Sequence, residues 1–346
     1  MVRSIRLFLV RHGETVDNVA QLYAGSRDSA LTNHGHQQAT RLGLHFKSLG
    51  LAFTHLFSSH LQRAATTADL IRQAQLPTDA IEAPRNVAEV VQLPILTEQD
   101  FGDLEGKKWA DMQAELQNKP GFVAMETKEA MSRRADAFLD EHILPLFGET
   151  TDGSALTIAI VSHGIFLSTL WKRLLRRLPA NSISLSADLQ STARLSLEHL
   201  GAWSNTGFLE LLMVRDEAGK APPAGAATTA MSKPDLLQPT TASLNVTVDA
   251  VEPIQNAAQA EPSQVSDNAK VNEAIQAIPA TAAAVAHPSQ RTTGLRIAHG
   301  WTITILTING KDHLTGLKRT GGGVGSSRHD ASQTGIETFF KRRKVD

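Results

Sequence analysis

Between Phe208 and Trp301 the chain contains no aromatic residue, although the whole sequence holds 12 Phe, 4 Trp and 1 Tyr. A segment without large apolar side chains cannot bury enough surface to offset the entropy of ordering it. The segment 217–292 also carries eight of the 14 prolines, and the runs Ala221–Ala230 and Ala280–Ala286 are low in complexity. This predicts a disordered insertion or linker over 217–292, with core residues drawn from either side of it. After the gap, residues 301–310 (WTITILTING) alternate with period two, which predicts a half-buried strand ending at Asn309-Gly310. Gly207–Arg215 is a second strand candidate. The insertion then reads as a long excursion between antiparallel neighbours, with a strand in 293–318 returning to the main sheet. From Gly321 onward a glycine-rich run predicts a flexible spacer, so that 319–346 forms a tail.

Ahead of the insertion, Ile5–Val10, His55–Ser58 and Leu156–Val161 are short apolar runs, each followed by a polar turn and a helix-length segment. Such alternation predicts an α/β layered fold with buried strands. Ala39, Leu42, Leu44 and Phe46 fall near helical spacing after a turn at Thr32–Gly35, and Met131, Ala135, Phe138, Leu139 and Ile143 mark a second amphipathic helix. Both sets are core candidates. The charge balance, 34 Lys+Arg against 35 Asp+Glu, argues against a wholesale nucleic-acid binder. With no cysteine, disulfides, thiolate catalysis and Cys-ligated metal sites are excluded. The early apolar run Leu7–Val10 is too short for a signal segment or membrane span, so no membrane association is expected.

Chemistry gathers at two strand ends. Leu9-Val10-Arg11-His12-Gly13-Glu14-Thr15 and Ile160-Val161-Ser162-His163-Gly164 each place a histidine where ligand crevices of open α/β sheets lie. An imidazole can attack phosphorus, Arg can clamp phosphate oxygens, and a second imidazole can meet charge developing in the transition state. Neither motif is decisive alone.

Together with other blocks they resemble the histidine phosphatase superfamily in its phosphoglycerate mutase-like branch. Arg11–Thr15 with Asn18 is similar to the N-terminal signature, and Asp28–Ala39 to the loop and helix after it. Phe57–Ala64 resembles the block with a second phosphate-binding arginine, and Glu98–Gly106 the acid-bearing block. Glu126-Thr127 with Arg134 and Phe138-Leu139 resembles a substrate-side helix, and Ser162-His163-Gly164 the second-histidine block. The similarity covers roughly residues 4–215, which assigns 1–216 as the phosphatase domain and implies a three-layer α/β/α phosphoglycerate mutase-like fold. It implies that His12 accepts the phosphoryl group and that Arg11, Arg63 and His163 clamp it. Asn18 would add a neutral hydrogen bond. Glu98 would serve as acid and then base, although on chemistry alone Asp100, Asp103 and Glu105 stay open. No metal or other cofactor is implied. Residues 98–106 are closer to the phosphatase type than to the mutase type, and no Arg-rich segment with Tyr and Pro follows them. Hydrolysis is therefore favoured over phosphoryl shuttling, with a phosphorylated small molecule or phosphoprotein as substrate.

The last residues, 333–346, resemble something else. Gln333, Ile336, Phe339 and Phe340 have the spacing of the peptide box that binds the PCNA sliding clamp, with Ile336 and Phe339 on one face of a tight helical turn. Lys341, Arg342, Arg343 and Lys344 resemble a nuclear localisation signal. Their implication is an enzyme shared between nucleus and cytoplasm and recruited to the clamp, without sequence-specific nucleic-acid binding. The rival readings are a phosphatase-fold scaffold whose role is clamp binding, and a cytosolic metabolic phosphatase or mutase with an accidental tail match.

Overall fold

The computed structural model describes residues 2–77, 87–109, 120–149, 155–179, 181–192, 196–216, 297, 300–321 and 323–330. The insertion expected at 217–292, the clamp-type box and the basic run Lys341–Lys344 lie outside the described residues.

Apolar side chains that alternate between two buried faces build the centre of the fold. Along β1 (Val2–Arg11), Ile5, Leu7 and Leu9 enter one core while Phe8 and Val10 enter the other. This is why the run reads as continuously apolar rather than alternating. In β4 (Leu156–Ser162), Ile158 and Ile160 divide in the same way from Ala159 and Val161. β4 lies parallel between β1 and β2 (His55–Ser59), with β3 (Val90–Leu93) outside β2.

Helices cover both faces, giving the three layers. On one side pack α2 (Asn33–Ser48) and α3 (Gln62–Gln75), through Leu42, Phe46, Ala64, Ala68 and Ile71. Against the other lie α4 (Lys128–Phe138), which runs on into a π-helical turn at Leu139–Ile143, and, farther along the chain, α6 (Gly164–Leu175). The short helices α1 (Val16–Ala20), α5 (Leu146–Glu149) and α7 (Ala187–Thr192) lie in the connections.

Two expectations for α2 need correction. Thr32–Gly35 is no free turn: Thr32 is the N-cap, its hydroxyl accepting from the Gly35 N–H at 2.9 Å. Leu44 is 53% exposed, whereas Ala39, Leu42 and Phe46 are fully buried. At 3.6 residues per turn, position 44 lies on the far side of the helix from 42 and 46.

The sheet continues past β1 through β6 (Phe208–Asp216), β7 (Trp301–Gly310) and β5 (Ile183–Leu185), in the order β3-β2-β4-β1-β6-β7-β5. β7 pairs antiparallel with β6, Arg215 lying opposite Trp301, so the chain departs and re-enters at the same end of adjacent strands. Trp301, Ile303 and Ile305 are buried in the core of β1 and α6. Truncating Ile303 to Ala therefore removes about 2–5 kcal/mol from the same core that carries the N-terminal half.

The flexible spacer expected from Gly321 is not what the described residues 319–321 and 323–330 form. Here the chain lies along the N-terminal part of α2. The Asn33 N–H donates to the Ser327 carbonyl at 2.9 Å, the Asn33 side chain to Val324 at 2.9 Å, and the His329 N–H to the Leu31 carbonyl at 2.9 Å. The His36 and His329 rings stack at 3.7 Å, and Arg319 forms an ion pair with Glu14. Composition suggested a spacer because glycines dominate 321–325, but specific hydrogen bonds to α2 hold the segment.

Candidate active site

β1 and β4 run parallel with Arg11 opposite Ser162, so the residues that follow, His12 and His163, emerge side by side. Their ring centroids are 5.1 Å apart, and both side chains are buried. The loop after β1 is pressed against the start of α2, where a Cβ on Gly13 would lie 2.5 Å from the Gly35 carbonyl oxygen. Only glycine permits that approach.

Hydrogen bonds fix the tautomer of each ring. His12 Nδ1 is 2.7 Å from the Gly13 carbonyl, which can only accept, so Nδ1 carries the proton and Nε2 keeps its lone pair. Arg63 Nε donates to His163 Nδ1 at 3.1 Å, so the ring proton of neutral His163 sits on Nε2. Burial, together with the positive charges of Arg63 and Arg11, holds both imidazoles well below their ordinary pKa, hence neutral. His12 Nε2 thereby presents a lone pair that needs no prior deprotonation. His163 Nε2 and Arg11 Nε are buried without a hydrogen-bond partner, two donors awaiting an acceptor. Burial lowers Arg11 to about 10, a shift opposed by the charge of Glu98.

Arg63 is almost wholly buried at the start of α3, and most of its donors are spent. Besides His163 it reaches the carbonyls of Arg27 at 2.7 Å, Gly25 at 2.8 Å and Ala24 at 3.1 Å. These carbonyls are presented by a loop whose N–H groups are gathered by Glu105, which accepts from Gly25, Ser26 and Arg27 as well as from Phe101. Glu105 is thus a loop organiser rather than an acid at the reacting atoms. Asp103 accepts from Val123 N–H on the surface, and Asp100 from Gly102 N–H.

Glu98 sits at the N-terminus of α6. Its Oε1 accepts from Phe166 N–H at 2.9 Å and Gln99 N–H at 3.0 Å, and its Oε2 from Ile165 N–H at 3.1 Å. Helix N-termini favour such a carboxylate. The same side chain lines a cavity of about 390 Å³. Asn18 uses its Oδ1 on the Thr15 N–H and on Asn205, closing the capping box of α1.

The sequence motifs missed three supports. Asn205 also donates to the His12 carbonyl at 3.3 Å, and the Trp203 carbonyl accepts Arg11 Nη1 at 2.6 Å. Thr67 joins the two halves of the site, accepting from Gly13 N–H and donating to the Arg63 carbonyl. The four-residue step from Arg63 to Thr67 on one helix was a usable signal; 203–205 offered none, being far away in the chain.

A family model described as the histidine phosphatase superfamily (branch 1) matches residues 7–206. A 2,3-bisphosphoglycerate-dependent phosphoglycerate mutase of Bartonella henselae is 29% identical over 174 residues, covering 47% of this chain and 78% of the relative. The protein of that name from Xanthobacter autotrophicus is 33% identical over 176 residues, with the same shares covered. Among solved structures, a mycobacterial glucosyl-3-phosphoglycerate phosphatase aligns over 61% of this chain and 91% of its own, at 21% identity and a TM-score of 0.42.

Proposed function

The chain belongs to the histidine phosphatase superfamily, branch 1, and on that premise we propose that it hydrolyses phosphomonoesters through a phosphohistidine on His12. The observation that carries this reading is the set of nitrogens: the lone pair on His12 Nε2, in a ring 5.1 Å from that of His163, and the unpartnered buried donors His163 Nε2 and Arg11 Nε. In the first step His12 Nε2 bonds to phosphorus while the bond to the ester oxygen breaks, and Glu98 gives that oxygen a proton. Glu98 must enter the step protonated. In the second, water attacks phosphorus, the P–N bond breaks, and the water proton passes to Glu98. Arg11 and His163 donate to the phosphoryl oxygens throughout, and Arg63 holds His163 in the donating tautomer. The Asn18 amide, through its nitrogen, is a further donor to the phosphate.

Hydrolysis is favoured over mutase chemistry by the open cavity beside Glu98, which admits water, and by the phosphatase-like segment 98–106. Recruitment to the PCNA clamp rests on Gln333, Ile336, Phe339 and Phe340, and nuclear entry on Lys341–Lys344. The test is one protein read in two ways. His12→Ala should abolish phosphate release from a phosphomonoester panel, and Phe339→Ala/Phe340→Ala should abolish titration with the clamp, each leaving the other readout intact. Substantial turnover by His12→Ala would sink the mechanism. Clamp binding without turnover on any ester would favour the scaffold reading. Turnover without clamp binding would make the tail match accidental.

A further inference from the structure

We propose that the group released with the substrate's ester oxygen is an uncharged or cationic alcohol, bearing hydroxyl or amine donors and no carboxylate or second phosphate. This rests on the phosphohistidine reading above and specifies which esters the site accepts.

The cavity that adjoins the phosphate cradle is lined by Ser26, Thr97, Glu98, Asp100, Glu126 and Arg134, among others. Glu98 belongs to both spaces, since its charge acts on Arg11 and Arg63 as well as facing the cavity. On the cradle side, fully buried His163 presents its unpartnered Nε2 and marks where the phosphoryl group lies. The leaving group therefore extends from there past Glu98.

Among the described lining residues Arg134 is the one cation, and its donors are all spent. Nε and Nη2 form a bidentate pair with Glu126 at 2.8 and 2.7 Å. Nη1 donates to the Ile95 and Thr97 carbonyls at 2.8 and 3.0 Å, and Nη2 also reaches the Glu98 carbonyl at 3.4 Å. With all five N–H groups committed, the guanidinium has nothing left for a substrate anion. Its role is to hold the strand of chain that carries Glu98. Against this neutralised cation stands the carboxylate of Asp100, beside a Glu98 that holds its proton for the ester oxygen. Asp100 binds Gly102 N–H and Ser26 through Oδ1, while its Oδ2 has no hydrogen-bond partner among the described residues. A substrate carboxylate placed here would meet the like charge of Asp100 with no uncommitted cation among the described lining residues, whereas hydroxyl and ammonium groups would find an acceptor in Asp100 Oδ2.

The experiment uses the full chain and two near-isosteric esters, glycerol 3-phosphate and 3-phosphoglycerate, which differ by a hydroxymethyl group in place of a carboxylate. The expected kcat/KM is at least about tenfold higher for glycerol 3-phosphate, the order that one uncompensated like-charge contact commands. Asp100→Asn should narrow that ratio several-fold by improving 3-phosphoglycerate selectively. Equal or better turnover of 3-phosphoglycerate by the wild type, or an unchanged ratio in Asp100→Asn, would overturn the proposal. The parallel His12→Ala control separates the two levels of inference. Release that does not depend on His12, or no release from either ester or from p-nitrophenyl phosphate, removes the mechanism and this inference with it. Release that depends on His12 but favours the carboxylate removes this inference alone.

Discussion

The cradle around His12 and the cavity beside Glu98 share one side chain and follow opposite rules. In the cradle, backbone carbonyls and side chains fix Arg11 and Arg63, and two buried donors, His163 Nε2 and Arg11 Nε, remain unsatisfied. Among the described residues that line the cavity the single cation is paired with Glu126, and the Asp100 carboxylate faces an open space. A shape that recognises a phosphoryl group must be closed and positive, whereas a shape that accepts the remainder of the ester is open and selects by what it repels.

The strongest way to break this contrast is to disarm the cradle without emptying it. Arg63→Lys keeps the charge, but a single ammonium cannot reach His163 and three separate carbonyls as a planar guanidinium does. Phosphate release should fall roughly 100-fold or more, and steady-state kinetics on any accepted ester will measure it. Glu105→Gln acts one step farther out. It removes the charge that gathers the N–H groups of Gly25, Ser26 and Arg27, so Arg63 loses its fixed acceptors. The expected loss is about tenfold in kcat, with the leaving-group preference unaltered; a changed preference would mean that Glu105 acts in the cavity instead.

A pH profile sharpens the same contrast. The proposed attack requires a neutral His12, and its folded pKa lies well below the ordinary imidazole value, so activity should persist as pH drops through 6.5. An acid limb at or above 6.5 that belongs to the free enzyme would contradict the buried, arginine-flanked imidazole. Stability follows the same sign elsewhere. His313, buried beside Phe208 and hydrogen-bonded to Thr206, is lowered to about 4 by burial, then by His45 and Arg41. The unfolded chain binds that proton first, so stability present above 6.5 is lost as pH falls toward 4. His313→Gln should flatten the dependence of Tm on pH across that window.

The smallest effect is expected from Arg319→Ala, since Arg319 is 40% exposed opposite Glu14 at 12%. A half-exposed pair contributes about 1 kcal/mol or less. A larger drop in Tm would show that the segment 319–330 depends on this contact rather than on its backbone bonds to α2.

Much of the cradle was legible because the parallel pairing of β1 and β4 turns two sequence-distant His-Gly steps into neighbours, and strand periodicity locates both. What periodicity cannot supply is a side chain's partner. Glu98 was readable as an acid, but its placement on the N–H groups of α6 depends on how 96–98 docks against that helix. Leu44 misled because apolar identity was weighted over angular position. Residues 319–330 misled in the opposite sense, because glycine content speaks to backbone freedom and is silent about hydrogen bonds made to a distant helix.

That anchored segment also sets a distance. From His329, whose ring stacks on His36 of α2, three residues intervene before Gln333, a span of at most about 14 Å at full extension. A partner gripping the peptide at 333–340 would hold the enzyme on a short leash, with the crevice at a nearly fixed radius instead of sweeping the volume a long linker would allow. Phosphoesters generated within that radius would meet the enzyme at high effective concentration, and those beyond it would gain nothing from the attachment.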